Sequence, residues 1–245
     1  DRFKAPEERQ MVLKDIDFRI YPKQFTALVG ESGSGKTTLA RIISGQLRPL
    51  SGHIYLNGRE ISQLTAHQRR KARLGMQMVF QDPYSSLHPL QKIGRQMEEP
   101  LLVQGQFSRE ERRRKVEEML AAVGLDPEVA ERFPQNLSGG QRQRAAIGCA
   151  LITRPQLLIA DEPVSALDLS VQAQILNLFQ RLRRDFDFAC LFISHDLDVV
   201  RYLCDRVAVL HDGVIVEEDK AQRLFAGPRH PYTQQLLSAS LSLED

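Results

Sequence analysis

The hydrophobic and polar positions along the chain alternate between patterns typical of strands and patterns typical of helices. Residues 12–20 alternate apolar and polar side chains, as a half-buried strand does, and residues 24–29 form an apolar run that stops at Gly30. Apolar residues then recur at helical spacing from residue 39 to residue 43. The pattern predicts a strand that leads through a glycine-rich loop into a helix.

Strand-like and helix-like stretches continue to alternate over most of the sequence, which indicates an α/β sheet. Further strands are predicted at residues 53–56, 76–80, 156–160, 188–193, 206–210 and 214–217. Residues from about 92 to 133 break this alternation, because they contain no strand-like run. Apolar residues recur there at helical spacing: Val116, Met119, Leu120 and Val123. This stretch is interpreted as a helical lobe inserted into a single domain, residues 1–245.

Composition and charge narrow the possible classes of protein. The 245 residues suffice for one full core, charged residues make up 26%, and the formal net charge is only +2. Such a balance gives no concentrated positive field, which disfavours a nucleic-acid binder. The charge-dense stretch 109–115 is interpreted as a solvated helix face, with a nucleic-acid contact as the alternative.

Neither membrane spans nor metals held by the protein alone are predicted. The apolar runs fall far short of the roughly 20 residues that cross a bilayer, and no charged-then-apolar leader opens the chain, so a cytosolic location is expected. Cys149, Cys190 and Cys204 are too far apart in sequence for a zinc or redox pattern and are expected to be buried.

A glycine-rich stretch between the first strand and the first helix carries the first candidate chemistry. It matches the phosphate-loop pattern G-x-x-x-x-G-K-[ST] with Gly30, Glu31, Ser32, Gly33, Ser34, Gly35, Lys36 and Thr37, followed by Thr38. Glycine lets the backbone turn its N–H groups inward around a phosphate, and the helix N-terminus adds partial positive charge. We expect Lys36 to reach the β- and γ-phosphates of ATP and the Thr37 hydroxyl to hold Mg²⁺.

Two carboxylates follow the apolar run that ends at residue 160. In a parallel sheet, Asp161 and Glu162 would project into the crevice where ligands bind. Asp161 suits Mg²⁺, directly or through water. Glu162 is the candidate for the residue that orients and deprotonates the attacking water, with a helix cap as the alternative.

The order of the motifs resembles that of the ATP-binding cassette (ABC) ATPases over essentially the whole chain. Residues 137–141, Leu-Ser-Gly-Gly-Gln, resemble the signature sequence of this family, and Gln81, Asp168 and His195 follow the family's order around it. The resemblance implies an α/β P-loop NTPase fold, an ABC-type nucleotide-binding domain. Its parts would be a RecA-like core, an antiparallel β subdomain and an inserted helical subdomain at about 92–153.

The signature sequence also has a purely structural interpretation. Ser138 and Gln141 have the spacing of a capping box that opens a helix running to about residue 152. The resemblance adds that Ser138, Gly139, Gly140 and Gln141 of one subunit complete the ATP site of a second ABC ATPase subunit. The implied working unit is therefore a homodimer or a heterodimer.

The resemblance implies further roles at single positions. His195 would contact and sense the γ-phosphate, and Gln81 would join Mg²⁺ and the nucleophilic water to a mobile loop beside the helical lobe. Asp168 would make a contact across the dimer that shapes both sites. Phe3 would stack on adenine, with incidental packing near the terminus as the alternative.

Two longer stretches resemble the peptide and nickel importer ATPases: residues 77–87 and the terminal segment from about 228 to 245, which contains His-Pro-Tyr-Thr. This branch drives uptake of peptides, nickel or metal chelates through separate transmembrane permease subunits, with an extracytoplasmic solute-binding protein acting indirectly. The implied location is peripheral, on the cytoplasmic face of the cell (inner) membrane, and no nucleic-acid partner is implied.

Two alternatives use the same residues differently. A non-transport ABC ATPase acting on nucleic acid or ribosomes would show paired cassettes, long coiled-coil insertions or basic arms, and the sequence shows none of these. A regulatory module would bind ATP without cleaving it, and the presence of Glu162, Gln81 and His195 argues against that.

Overall fold

The computed structural model describes residues 12–65, 68, 72, 74–82 and 86–241. Its strands are β1 (Phe25–Val29), β2 (Tyr55–Leu56), β3 (Arg59–Glu60), β4 (Met76–Val79), β5 (Leu157–Asp161), β6 (Ala189–Ile193), β7 (Arg206–His211) and β8 (Val214–Lys220). Its α-helices are α1 (Lys36–Ile43), α2 (Ile93–Gln104), α3 (Arg109–Ala122), α4 (Gly139–Leu151), α5 (Leu169–Asp185), α6 (Leu197–Leu203), α7 (Ala221–Ala226) and α8 (Pro231–Leu241).

The main sheet has the strand order β4-β5-β6-β1-β7-β8, and β2 pairs with β3 in a separate antiparallel hairpin. All neighbours in the main sheet run parallel except β7 and β8, which are antiparallel. In the parallel register, Ile193 lies opposite both Leu28 and Asp161, while Val79 lies opposite Ala160. The residues that follow β1, β4, β5 and β6 therefore gather at one edge of the sheet.

Each of the further strands predicted after the loop overlaps a strand of the structure, but the prediction of a strand at residues 12–20 is wrong. No ladder forms in this segment, and Asp15 has a φ of 46°, which turns the backbone out of the extended conformation. Its apolar side chains still pack against the core: Leu13, Ile16, Phe18 and Ile20. The alternating pattern thus reports burial on one side and not strand pairing.

Apolar side chains fill the space on both faces of the main sheet. In β1, Phe25, Ala27 and Val29 belong to one core cluster and Leu28 belongs to the other, because successive residues of a strand face opposite sides. All five residues of β1 are buried. Such a two-sided core is expected of a parallel sheet covered by helices.

The predicted helical lobe contains α2, α3 and a short 3-10 helix, Pro127–Glu131, and a second 3-10 helix, Pro134–Asn136, follows it. The predicted apolar stripe of α3 is buried: Val116, Met119, Leu120 and Val123. Helix α4 approaches these helices closely, since a β-carbon on Gly148 would lie 2.7 Å from the Met97 side chain. Within the described residues, no helix has the length and apolar character needed to cross a membrane.

The predicted burial of the cysteines holds for Cys190 and Cys204, which are buried, while Cys149 is half-buried. Cys190 lies in β6 and belongs to the same core cluster as Phe25 and Phe179. The thiols therefore act as small apolar side chains in this core.

Replacing Phe179 by alanine should lower the free energy of unfolding by about 3–5 kcal/mol, because its fully buried ring packs edge-on against Phe25 and Phe192. Urea unfolding followed by circular dichroism measures the loss. Leu169→Ala on the same helix is the control, since Leu169 is 85% exposed and its truncation should change stability by less than about 0.5 kcal/mol. Equal stabilities of the two variants would contradict the assignment of this aromatic cluster to the core.

Candidate functional site

The candidate residues predicted from sequence follow the ends of adjacent parallel strands. Gly30 comes directly after β1, Gln81 comes two residues after β4, and His195 comes two residues after β6. Asp161 is the last residue of β5, and Glu162 follows it. The sheet register places all of these at its carboxyl edge, which is where open α/β sheets bind ligands.

The phosphate loop from Gly30 to Thr37 is shaped by close approach of neighbouring backbone. A β-carbon on Gly30, whose φ is 150°, would lie 2.1 Å from the Leu210 carbonyl oxygen. Gly35 is the N-cap of α1 in the left-handed region, with no side-chain cap bond, so N–H groups of the first helical turn stay available to a ligand. The Ser34 hydroxyl is buried and finds no hydrogen-bond partner in the described part of the chain. The loop is thus built to receive hydrogen-bond acceptors.

Lys36 lies folded over this loop. Its ammonium group donates to the carbonyl oxygens of Gly30 and Glu31, each at 2.8 Å. Burial lowers the pKa of Lys36, while the charges of Glu162, Asp161 and Glu31 oppose that shift. A buried ammonium among carboxylates and carbonyls is suited to a polyanionic ligand. Of the other predicted loop residues, Ser32 and Gly33 are exposed and Thr38 is half-buried.

Asp161 brings a buried carboxylate to the same place. Burial raises its pKa, and a hydrogen bond from the Thr37 hydroxyl opposes that rise. Thr37 and Asp161 therefore present oxygen atoms side by side, while Gln81 is exposed after the neighbouring strand. This donor set fits Mg²⁺, which binds through one or two carboxylates and completes its shell with waters and substrate phosphates. Among the described residues, no three His, Cys, Asp or Glu side chains cluster as a metal site.

Glu162 and His195 are brought together by the chain turns that follow β5 and β6. The Glu162 N–H donates to the Ile193 carbonyl at 3.0 Å, and Glu162 has a φ of 48°, which is uncommon for a residue other than glycine. Its Oε1 lies 3.4 Å from Nδ1 of the exposed His195. The alternative that Glu162 caps a helix is wrong, because Asp168 is the N-cap of the next helix, α5. Glu162 is instead held in a strained turn, with its carboxylate beside a histidine.

The residues of the signature sequence open α4 as predicted. The Ser138 hydroxyl accepts from the Gln141 N–H at 3.3 Å, and the Gln141 side chain accepts from the Ser138 N–H at 3.0 Å. This confirms the capping box. A β-carbon on Gly140 would lie 2.7 Å from Val171, and one on Gly139 would lie 3.8 Å from Leu167. The signature sequence therefore packs beside the start of α5.

Asp168 caps the N-terminus of α5, a structural role that was not predicted from the sequence. Its carboxylate accepts from the Val171 N–H at 3.0 Å and from the Ser170 hydroxyl at 2.7 Å, and these bonds lower its pKa. An aspartate immediately before a helix is a signal for such a cap. The predicted contact of Asp168 across a dimer stays a prediction. Phe3 lies outside the described residues.

Tyr232 was not predicted to belong to the site, although its motif was recognised. Its hydroxyl accepts from the Glu31 N–H at 3.0 Å, across a separation of 201 positions. Nothing in the local sequence pattern connects the two segments. A second missed neighbour is Arg41, whose charge lies near Asp161 and opposes the rise in its pKa.

Known protein sequences resemble this chain over most of its length. A family model described as ABC transporter matches residues 13–165. The di/tripeptide transport ATP-binding protein DppF of Pseudomonas aeruginosa (strain UCBPP-PA14) is 49% identical over 228 residues, which cover 93% of this chain and 71% of that protein. The oligopeptide transport ATP-binding protein AppF of Bacillus subtilis (strain 168) is 46% identical over 225 residues, covering 91% of this chain and 68% of that protein.

Solved structures share the fold. The ATP-binding cassette MJ0796, described as a dimer in a post-hydrolysis state bound to ADP and Pi, matches with a TM-score of 0.79 and 33% identity. The match covers 89% of this chain and 94% of that chain. Another structure described as dimeric MJ0796 matches equally well.

Replacing Asp161 by asparagine should stabilise the nucleotide-free protein at neutral pH. The folded-state pKa of Asp161 is raised, mainly by burial. The neutral carboxyl present at low pH therefore favours the folded state, and this stability is lost as pH rises through the folded-state pKa. Asparagine keeps an acceptor for the Thr37 hydroxyl without the charge. The gain over wild type should therefore grow from pH 4 to pH 8, as measured by urea unfolding in EDTA.

Asp187→Asn is the matched control, because Asp187 is an exposed carboxylate paired with Lys23 at the surface. Its stability should stay within about 0.5 kcal/mol of wild type. A loss of stability in Asp161→Asn at pH 8 would contradict the desolvation cost assigned to this carboxylate.

Proposed function

The chain belongs to the ABC transporter family, and we propose that it is the ATP-binding and ATP-hydrolysing subunit of an importer that takes up peptides through separate transmembrane subunits. The observation that carries this proposal is the convergence of Lys36, Asp161, Glu162 and His195 at one edge of the sheet. The predicted resemblance to the peptide importer ATPases and the predicted α/β ABC-type fold are both confirmed.

In this proposal, the loop and its lysine hold the phosphates of ATP. The N–H groups of the loop and of the first turn of α1 would donate to phosphate oxygens, and Lys36 would neutralise the β- and γ-phosphates. Thr37, Asp161 and Gln81 would hold Mg²⁺, which supplies charge neutralisation of the phosphates when bound. The Thr37 hydroxyl already lies against the Asp161 carboxylate, which supports this assignment.

Glu162 is the proposed general base. Its carboxylate lies at the carboxyl edge of the sheet beside the phosphate loop and contributes to the electrostatic environment of Lys36. It would orient a water molecule and take its proton, while His195, whose Nδ1 lies 3.4 Å from the Glu162 carboxylate, would donate to the γ-phosphate. The hydrogen bond from the Glu162 backbone to Ile193 fixes where this carboxylate can reach.

The site of one chain is proposed to be completed by a second ABC ATPase subunit, identical or similar. Ser138 to Gln141 present a capped helix N-terminus with glycines that leave its backbone accessible, and Asp168 stands at the adjoining helix start. The neighbours of known structure are described as dimeric cassettes, which supports this assembly. Phe3 would stack on adenine.

Closure of the dimer by ATP would be transmitted to a membrane subunit through Gln81 and the helical subdomain. We propose that this subdomain spans about 92–153 within a single domain, since α2, α3 and α4 pack on one another. The chain would sit peripherally on the cytoplasmic face of the cell (inner) membrane, and an extracytoplasmic solute-binding protein would deliver the cargo.

Peptides are the proposed cargo because the relatives are ATP-binding proteins of di/tripeptide, dipeptide and oligopeptide transport. The importer ATPases that the sequence resembles also include those for nickel and metal chelates, and such cargo would be carried by the same mechanism. The alternative of a non-transport ATPase acting on nucleic acid or ribosomes is not favoured by these relatives.

Glu162→Gln should bind ATP with near wild-type affinity but lose at least about 100-fold in hydrolysis rate, because the amide cannot accept the proton of the attacking water. The stalled protein should run as a dimer in gel filtration with ATP and Mg²⁺. Glu118→Gln, an exposed glutamate on α3, is the control and should hydrolyse ATP normally. Unchanged turnover in Glu162→Gln would remove the basis for this assignment.

Affinity purification of the protein from detergent-solubilised membranes of its source cells should recover transmembrane permease subunits. The expected partners follow from the proposed coupling through Gln81 and the helical subdomain, and mass spectrometry identifies them. Recovery of ribosomes or DNA without membrane subunits would support the non-transport alternative instead.

A further inference from the structure

The first turn of α8 and the residues just before it are anchored beside the phosphate loop. The Tyr232 hydroxyl accepts the Glu31 N–H at 3.0 Å, and the tyrosine is only 7% exposed. Its ring stacks on the ring of His211, with centroids 3.7 Å apart and an interplanar angle of 25°. Tyr232 thus connects the end of β7 with the start of the loop.

A buried carboxylate holds this segment in place. Glu217 on β8 accepts from the backbone N–H groups of Arg229 and His230, each at 3.0 Å. Burial by itself would raise the pKa of Glu217, but these hydrogen bonds, together with the Thr233 side chain and the charge of Arg229, outweigh it and the pKa is lowered. His230 Nδ1 in turn accepts from the Tyr232 N–H at 3.2 Å. The position of the tyrosine is therefore set by the sheet.

The hydrogen bond from Glu31 acts on the same peptide group that holds the lysine. The Gly30 carbonyl and the Glu31 N–H belong to one planar unit, so fixing one end orients the other. The carbonyl accepts from Lys36 Nζ at 2.8 Å, and the N–H donates to Tyr232. Tyr232 thereby fixes the plane that presents the Gly30 carbonyl to Lys36.

Two other contacts on this side of the loop do not bond to that peptide. The Gly213 N–H donates to the Ser34 carbonyl at 3.2 Å, and Gly30 packs against the Leu210 carbonyl. Neither contact engages the polar atoms of the peptide between Gly30 and Glu31. Gly30 itself, having no β-carbon, restricts its backbone less than any other residue would. Among the described residues, the Tyr232 hydroxyl restrains the N–H end of this peptide, while Lys36 holds its carbonyl end.

We propose that Tyr232 is a positioning residue of the nucleotide site, which orients the first peptide of the phosphate loop and through it Lys36. The inference rests on the proposed binding of ATP by that loop. Because coupling between two sites is reciprocal, bound nucleotide should also stabilise the docking of α8.

Tyr232→Phe tests the proposal, because phenylalanine keeps the stack on His211 and removes only the hydroxyl. The affinity for a fluorescent ADP with Mg²⁺, measured by titration, should fall about two- to tenfold, the range expected for loss of one hydrogen bond. The melting temperature without nucleotide should stay close to that of wild type. Tyr202→Phe, which removes a surface hydroxyl bonded to Asn177, is the matched control and should bind like wild type.

The outcomes separate this inference from the function on which it rests. A wild-type protein that does not bind the nucleotide would contradict the proposed function itself. If wild type binds and Tyr232→Phe binds equally well, or only its melting temperature falls, Tyr232 is structural and the inference is overturned.

Hydrogen exchange of the wild-type protein decides the case if Tyr232→Phe does not fold. Saturating ADP should slow amide exchange in peptides that cover residues 229–236, because the docked segment and the bound loop stabilise each other. Unchanged exchange in these peptides would overturn the inference, while exchange in α3 serves as the internal reference.

Discussion

The parallel pairing of β1 with β6 on one side and β7 on the other is the interaction on which the site depends. The loop after β1 therefore has Glu162 and His195 on its β6 side. On its other side lies the turn that follows β7. Leu210 of β7 approaches so closely that only glycine fits at residue 30. The geometry of the loop is thus set by strand register, and the core on both faces of the sheet keeps that register from slipping.

The charged residues of the site lower the stability of the fold, because burial removes their charges from water. Lys36 and Asp161 are both largely buried. Burial lowers the pKa of Lys36 and raises the pKa of Asp161, so that it favours the neutral form of each. Their mutual attraction opposes these shifts without removing them. Buried charges of this kind add little to stability, and they are expected where a charged ligand compensates them. The strained backbone of Glu162 belongs to the same pattern, because strain concentrates at functional sites.

Sequence reasoning located the parts of the fold and site that local patterns specify. The loop, the strand-end carboxylates and the capping box at Ser138 each have a spacing with a direct physical meaning, and the structure has all three features. The pattern at residues 12–20 was misleading because alternation records which side is buried and not whether a partner strand exists. The contact between Glu31 and Tyr232 could not be predicted, since its separation of 201 positions is bridged only by the folded sheet.

That contact also sets the size of any influence of the terminal segment on the loop. One hydrogen bond contributes about 0.5–1.5 kcal/mol, so docking of α8 through Tyr232 can change nucleotide affinity only several-fold. Conversion of a loop from almost wholly inactive to almost wholly active requires a difference of about 10⁴-fold. The contact between Tyr232 and the loop therefore acts as a fixed support that sharpens an already formed site. Regulation through this segment would need a further interaction that displaces the whole anchor at Glu217.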